Sequence, residues 1–170
     1  AFVTGVDALI PVPEDLSDEV AALLPSSETA TNLVLDGAPR LGERVALFGA
    51  GVIGLLTTAS LARFPLSELV VIEPNAERRA RALQLGATAA YAGTSEADEG
   101  ALRNFDLVYE LSGNPAALNG AIQAAGFGAR VVVGSWYGAK HAPLDLGGHF
   151  HRNGIQLTSS QVSTLAPSLT

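Results

Sequence analysis

Three glycines and one acid carry the most chemistry in this chain. Gly49, Ala50, Gly51, Val52, Ile53 and Gly54 spell GxGxxG. The first glycine permits a sharp turn, the second lets an anion approach bare backbone, and the third lets a helix pack closely. A helix beginning there offers unpaired N–H groups and about half a positive charge. Glu73 follows Gly54 by about 20 residues, the spacing at which an acid meets ribose hydroxyls. Together they suit a dinucleotide, with its diphosphate on the helix and its ribose on the carboxylate. The competing explanation is a glycine turn that only packs a helix on a strand, with Glu73 solvated at a strand end.

Glu73 also bears on which dinucleotide is chosen. A carboxylate accepts both hydroxyls of the adenosine ribose in NAD, but it repels the 2′-phosphate of NADP. Unit charges about 4 Å apart at an effective dielectric of about 20 repel by roughly 4 kcal/mol. Arg78 and Arg79 oppose this, since an arginine there can lie over the adenine or pair with a 2′-phosphate. Equally, they can be a solvated helix face, with Glu77 and Arg81 one turn apart. NAD is the expected cofactor, ahead of NADP.

The elements that must position these residues alternate in type. Residues 45–48 read as a buried strand and 55–62 as a helix. A second strand covers 69–72. Asn75 caps a helix over 76–85, with Gly86 at its C′ position. Further strands are expected at 88–91, 105–111, 130–133 and 155–159. Residues 93–104 are polar, with at best a ragged helix. Asn114 and Pro115 open a helix that runs to about residue 125. Ahead of the glycine turn, 1–13 reads as extended. A short helix starts at Ser17 and is ended by Pro25, a second spans 26–35, and 36–39 is a turn. Strands spaced by helices imply βαβ crossovers. The fold class is α/β, a doubly wound parallel Rossmann sheet of about six strands.

Composition narrows the function classes. The 170 residues suffice for one full-sized domain. A net charge of −7 argues against nucleic-acid or anionic-membrane partners. No apolar run approaches a membrane span and no signal peptide is visible, so the expected location is cytoplasmic. Cysteine is absent, which removes disulfides and thiolate metal ligands from this chain. Methionine is absent too, so a processed chain or a fragment is expected.

Turns at strand ends fall near a ligand bound across the sheet. Ser112 and Gly113 follow the fourth strand. Val133, Gly134 and Ser135 follow the fifth, where backbone groups of Val133 and Ser135 can hold a nicotinamide carboxamide. Trp136 and Tyr137 are either a substrate wall or aromatics packed on a neighbouring lobe. His149 and His151 form an HxH pair without an evident third metal ligand, and His141 reads as a loop residue. No nucleophile and base are brought together by the pattern, so no catalytic or metal residue is assigned.

The chain resembles the cofactor domain of the medium-chain dehydrogenases/reductases, the zinc-type alcohol dehydrogenase family. Residues 13–30, 41–64, 71–87 and 105–118 carry the likeness. Residues 134–163 are similar to a subgroup that includes bacteriochlorophyllide-type dehydrogenases. The resemblance implies hydride transfer between an alcohol and a nicotinamide, with a catalytic zinc in many members. It implies cofactor roles for Gly49, Gly51, Gly54, Glu73 and Arg78, and places Thr29 near the nicotinamide. Zinc members often carry a cysteine or glutamate shortly before that threonine, where this chain has Pro25. The family's catalytic lobe precedes the cofactor domain. Residues 1–24 match only its trailing edge, and 25–170 make the dinucleotide-binding domain. The expectation is therefore a cofactor domain inactive without its missing catalytic lobe, paired into homodimers through the sheet edge.

Two other functions compete. Methyltransferases also use a glycine-rich first turn followed by an acid, but they favour GxGxG with an acid just before it, where this chain has Phe48. A non-catalytic nucleotide sensor is the third reading.

Overall fold

A computed structural model of the chain describes residues 3–94 and 102–162. Six parallel strands form one sheet: β1 (Arg44–Phe48), β2 (Glu68–Ile72), β3 (Ala89–Tyr91), β4 (Phe105–Glu110), β5 (Ala125–Val133) and β6 (Gln156–Ser159). Their spatial order is β3-β2-β1-β4-β5-β6, the doubly wound order that reverses direction between β1 and β4. Helices α1 (Asp18–Ala21), α2 (Leu24–Gly37), α3 (Val52–Leu61), α4 (Ala76–Gln84) and α5 (Pro115–Ala124) complete the framework.

Strand alternation divides the core into two layers. Val45, Leu47, Val71 and Leu107 face α2, α3 and α4, where they meet Leu33, Leu61 and Ala82. Ala46, Phe48, Ile72 and Val108 face α5, where they meet Leu118, Ala121 and Ile122. Both faces are covered, as continuous apolar strands require. No helix among the described residues is long and apolar enough to cross a membrane.

Several sequence expectations need correction. Pro25 does not end a helix; it sits in the first turn of α2, where a missing N–H costs nothing. Gly37 belongs to α2 rather than to a turn, and Ala38 closes the helix in the left-handed region at φ 44°. Strand β5 begins at Ala125, not at residue 130, and its pairing with β4 shifts register between Phe105 and Leu107. Residues 6–8 form a 3₁₀ turn inside the segment expected to be extended. Most of the ragged 93–104 stretch lies outside the described residues.

Among the described residues two buried side-chain atoms lack a hydrogen-bond partner, the Tyr109 phenol oxygen and the Arg130 Nε. Gly37 passes so close that a Cβ there would touch the phenol oxygen. Burial raises the phenol's pKa well above the ordinary tyrosine value, the Arg130 charge opposing and Glu43 and Asp36 adding to the rise. Above about pH 10 the unfolded chain ionises this tyrosine while the folded chain keeps it protonated, so folding weakens as pH rises. Tyr109→Phe removes an unsatisfied hydroxyl and gains about 1 kcal/mol of stability at neutral pH. It also flattens the alkaline loss. Urea denaturation on either side of about pH 10 checks both effects.

Candidate functional site

The turn from β1 into α3 is built by steric exclusion on two of its three glycines. Gly49 has φ 101°, and a Cβ there would stand 2.6 Å from the Ser112 Cα. A Cβ at Gly54 would stand 2.2 Å from the Gly49 carbonyl oxygen, so α3 lies directly on the turn. Gly51 is different. Its backbone is ordinary, at φ −69°, and a Cβ would meet nothing within 4 Å. No atom of the described residues explains this glycine, and the space beside it is open among them. Gly51 is the N-cap of α3, yet no side chain caps the helix. The first N–H groups of α3, at Val52 and Ile53, therefore lack intrahelical partners.

Ala50 between them is fully buried, and its N–H donates to Glu73 Oε2 at 2.8 Å. Glu73 Oε1 accepts from the Asn75 N–H at 2.9 Å. The carboxylate, only 6% exposed, thus ties the glycine turn to the start of α4. Asn75 caps that helix through the Arg78 N–H at 3.0 Å. The two arginines then part ways. Arg79 donates to the carbonyls of Glu73 and Pro74 at 2.8 and 2.7 Å. Arg78 stays largely exposed, 3.9 Å from Glu73 Oε2.

These groups border one crevice of about 350 Å³ at the carboxyl ends of the strands. Gly49, Gly51, Glu73, Arg78, Ser112 and Asn114 form its polar parts. Phe48, Ile72, Pro74, Ala92, Leu111 and Ala117 form its apolar walls. It lies where the strand order reverses, the position at which open α/β sheets bind ligands.

The turns after β4 and β5 are joined to each other. The Gly113 N–H donates to Ser135 Oγ at 2.8 Å. The Gly134 N–H donates to the Glu110 carbonyl at 3.0 Å. A Cβ on Gly134 would stand 2.6 Å from both Leu111 and Leu33 side chains, so this glycine is needed for packing. Val133, Gly134 and Ser135 do not line the crevice themselves; Ser135 holds Gly113, the neighbour of Ser112, which does.

Sequence reasoning missed Glu110. It ends β4 with no exposed surface at all. Its Oε1 accepts from the Ser112 N–H at 2.9 Å and from the Ser112 hydroxyl. Its Oε2 accepts from the Tyr137 hydroxyl. The signal was present as an acid inside the apolar run LVYEL, since a lone carboxylate rarely enters a buried strand without a task. Tyr137 accordingly turns inward, and burial together with Glu110 raises its phenol's pKa well above the ordinary value. Trp136 instead stands 91% exposed.

Other candidates fall elsewhere. Thr29 donates to the Pro25 carbonyl of its own helix at 3.0 Å and does not border the crevice. His149 Nε2 meets the Ala125 carbonyl at 2.8 Å and Nδ1 meets the Asn153 amide nitrogen at 3.0 Å. A carbonyl only accepts and an amide nitrogen only donates, so Nε2 donates and Nδ1 accepts in these two contacts. This histidine fastens the π-helical turn at Leu146–Phe150 to the start of β5. His151 and His141 are exposed. Among the described residues no cluster of histidine and carboxylate side chains suits a metal ion.

Comparison with known proteins agrees with this architecture. A family model described as zinc-binding dehydrogenase matches residues 52–168. (R,R)-butanediol dehydrogenase of Bacillus subtilis is 31% identical over 147 residues, covering 82% of this chain and 42% of that protein. L-threonine 3-dehydrogenase of Legionella pneumophila (strain Corby) is 33% identical over 131 residues, covering 74% of this chain and 38% of that protein. A structure from Escherichia coli CFT073, described as a short chain alcohol dehydrogenase complexed with NADH, superposes with a TM-score of 0.80. It is 21% identical and covers 94% of this chain and 48% of its own, a likeness of fold. The chain thus spans less than half the length of these proteins. With the family model covering more than half of the chain, the chain belongs to the zinc-binding dehydrogenase family.

Proposed function

We propose that this chain is the dinucleotide-holding part of an oxidoreductase that moves a hydride between an alcohol or carbonyl substrate and a nicotinamide, with NAD(H) preferred to NADP(H). One observation carries the reading: the open space beside Gly51 and the carboxylate of Glu73 border the same crevice. The fit is one of charge and shape. The uncapped N-terminus of α3 suits a diphosphate, held by the N–H groups of Gly51, Val52 and Ile53. Each Glu73 oxygen accepts one backbone N–H and keeps a further lone pair for a ribose hydroxyl. Arg78 flanks the adenine end. Ser112 borders the middle of the ligand, with Gly113 beside it. The Val133 carbonyl and the Ser135 N–H already bond Ser160 and Glu110, so the turn at Val133 to Ser135 shapes the nicotinamide end without bonding the carboxamide through those groups.

The nicotinamide, when bound, supplies the hydride acceptor or donor. This chain's part is to bind, orient and discriminate. We assign acid–base and zinc chemistry to the longer protein's catalytic lobe, with Thr29 facing the nicotinamide once that lobe is docked. On this reading residues 1–24 lead from that lobe, 25–170 form the cofactor domain, the protein is cytoplasmic, and β6 offers an edge for a second copy. The chain alone turns over no alcohol.

Calorimetric titration tests the proposal. NADH binds at least tenfold more tightly than NADPH, and S-adenosylmethionine gives no heat. Tighter NADPH binding overturns the cofactor choice; S-adenosylmethionine binding without NADH overturns the class. Glu73→Ala weakens NADH and relieves the repulsion of a 2′-phosphate. Even half of the roughly 4 kcal/mol estimated for that repulsion moves the NADH-to-NADPH affinity ratio more than tenfold. An unmoved ratio removes Glu73 from ribose recognition.

A further inference from the structure

We propose that Glu110 sets the balance between oxidised and reduced nicotinamide: its buried negative charge favours the cationic NAD⁺ ring over the neutral ring of NADH. This rests on the dinucleotide reading above.

The argument begins with what surrounds the carboxylate. Glu110 has no exposed surface, and no ion pair reaches it among the described residues. Lys140, the single lysine of the chain, bonds the Gly113 carbonyl at 3.2 Å instead. Three neutral donors satisfy the acid: the Ser112 N–H, the Ser112 hydroxyl and the Tyr137 hydroxyl. The Ser112 oxygen is itself occupied by the Asn114 N–H at 3.0 Å, which leaves its hydrogen for Glu110. Every partner therefore donates, a pattern that fits the ionised, acceptor-only carboxylate. A buried charge held only by neutral dipoles is costly, and its field is little screened.

Its position gives that field a target. Glu110 lies beneath the joined turns after β4 and β5, one of which borders the crevice through Ser112. In the proposed pose the nicotinamide rests against these turns. Its ring is positive in NAD⁺ and neutral in NADH, so a fixed anion below it acts on one form and not on the other. Adenosine, ribose and diphosphate contacts are common to both forms and cancel in the ratio of their affinities. A purely structural carboxylate would change both affinities together.

The experiment measures NAD⁺ and NADH dissociation constants by calorimetry on the full chain, for the native protein, Glu110→Gln and Tyr137→Phe. Glutamine keeps the size of the acid and removes its charge. Its oxygen still accepts from Ser112, while its amide N–H faces the Tyr137 hydroxyl, which accepts in place of donating. Glu110→Gln is expected to weaken NAD⁺ relative to NADH by about fivefold or more, the scale of a nearby charge in a protein interior. Tyr137→Phe removes one hydrogen bond and keeps the charge, so its ratio stays within twofold of the native one. If Glu110→Gln binds both forms with the native ratio, or if Tyr137→Phe shifts the ratio as far as Glu110→Gln does, the proposal is overturned. If the native chain binds neither form, the dinucleotide reading fails first and takes this one with it.

Discussion

Gly51→Val abolishes dinucleotide binding, with at least about a hundredfold loss of NADH affinity, and leaves the fold intact. The two halves of that result have separate causes. A Cβ at this position meets no atom of the described residues within 4 Å, so the turn leaves room for a side chain. The backbone at φ −69° and ψ −171° is one that valine adopts freely. Loss of glycine at an N-cap costs about 1 kcal/mol, or a few degrees of melting temperature in a chain of this size. The branched methyl groups fill the space in front of the Val52 and Ile53 N–H groups, where the diphosphate is proposed to sit. Calorimetry with NADH and a melt followed by circular dichroism check both halves. Native-like affinity in this variant moves the diphosphate away from the turn.

Gly54→Ala, only three positions on, gives the opposite outcome. A Cβ there stands 2.2 Å from the Gly49 carbonyl oxygen, a backbone atom with no freedom to step aside. Gly49 is itself pinned, by its N–H bond to the Ile72 carbonyl at 2.8 Å and by the Ser112 backbone behind it. Helix α3 must therefore lift off β1, and Leu61 leaves the core with it. The expected loss is about 3 kcal/mol or more, at the severe end of overpacking. A lowered urea midpoint, or insoluble expression rescued by restoring glycine, is the measurement. A native midpoint would mean that α3 has room to move. Two glycines of one motif are thus separable, one leaving open space beside the turn and the other permitting the fold.

Most of the sheet was legible because its strands are short apolar runs between strong punctuation. Gly49, Asn75, Gly86 and Asn114 act locally, and each does in the fold what its residue type foretells. The first half of β5 was not legible. Gly126 and Gly128 interrupt the apolar pattern there, and only pairing with β4 makes the segment a strand. Asn32 was also invisible. Its amide reaches Asp36, Ser160 and the Gln161 carbonyl, so it secures α2 to the end of β6 across most of the sequence. The crevice residues around Gly51 and Glu73 were legible through spacing. Glu110 was not, because its partners Ser112 and Tyr137 mean nothing as a set until two turns meet in space.

Trp136 has a practical consequence. It is the only tryptophan in the chain and stands bare beside the inward-facing Tyr137. A bare indole already emits at its water-relaxed wavelength, so melting the domain barely changes its colour. Anything that settles over the fifth strand's turn shifts that emission to the blue. Nature has left a single optical tag that is blind to unfolding and alert to whatever lands on this rim.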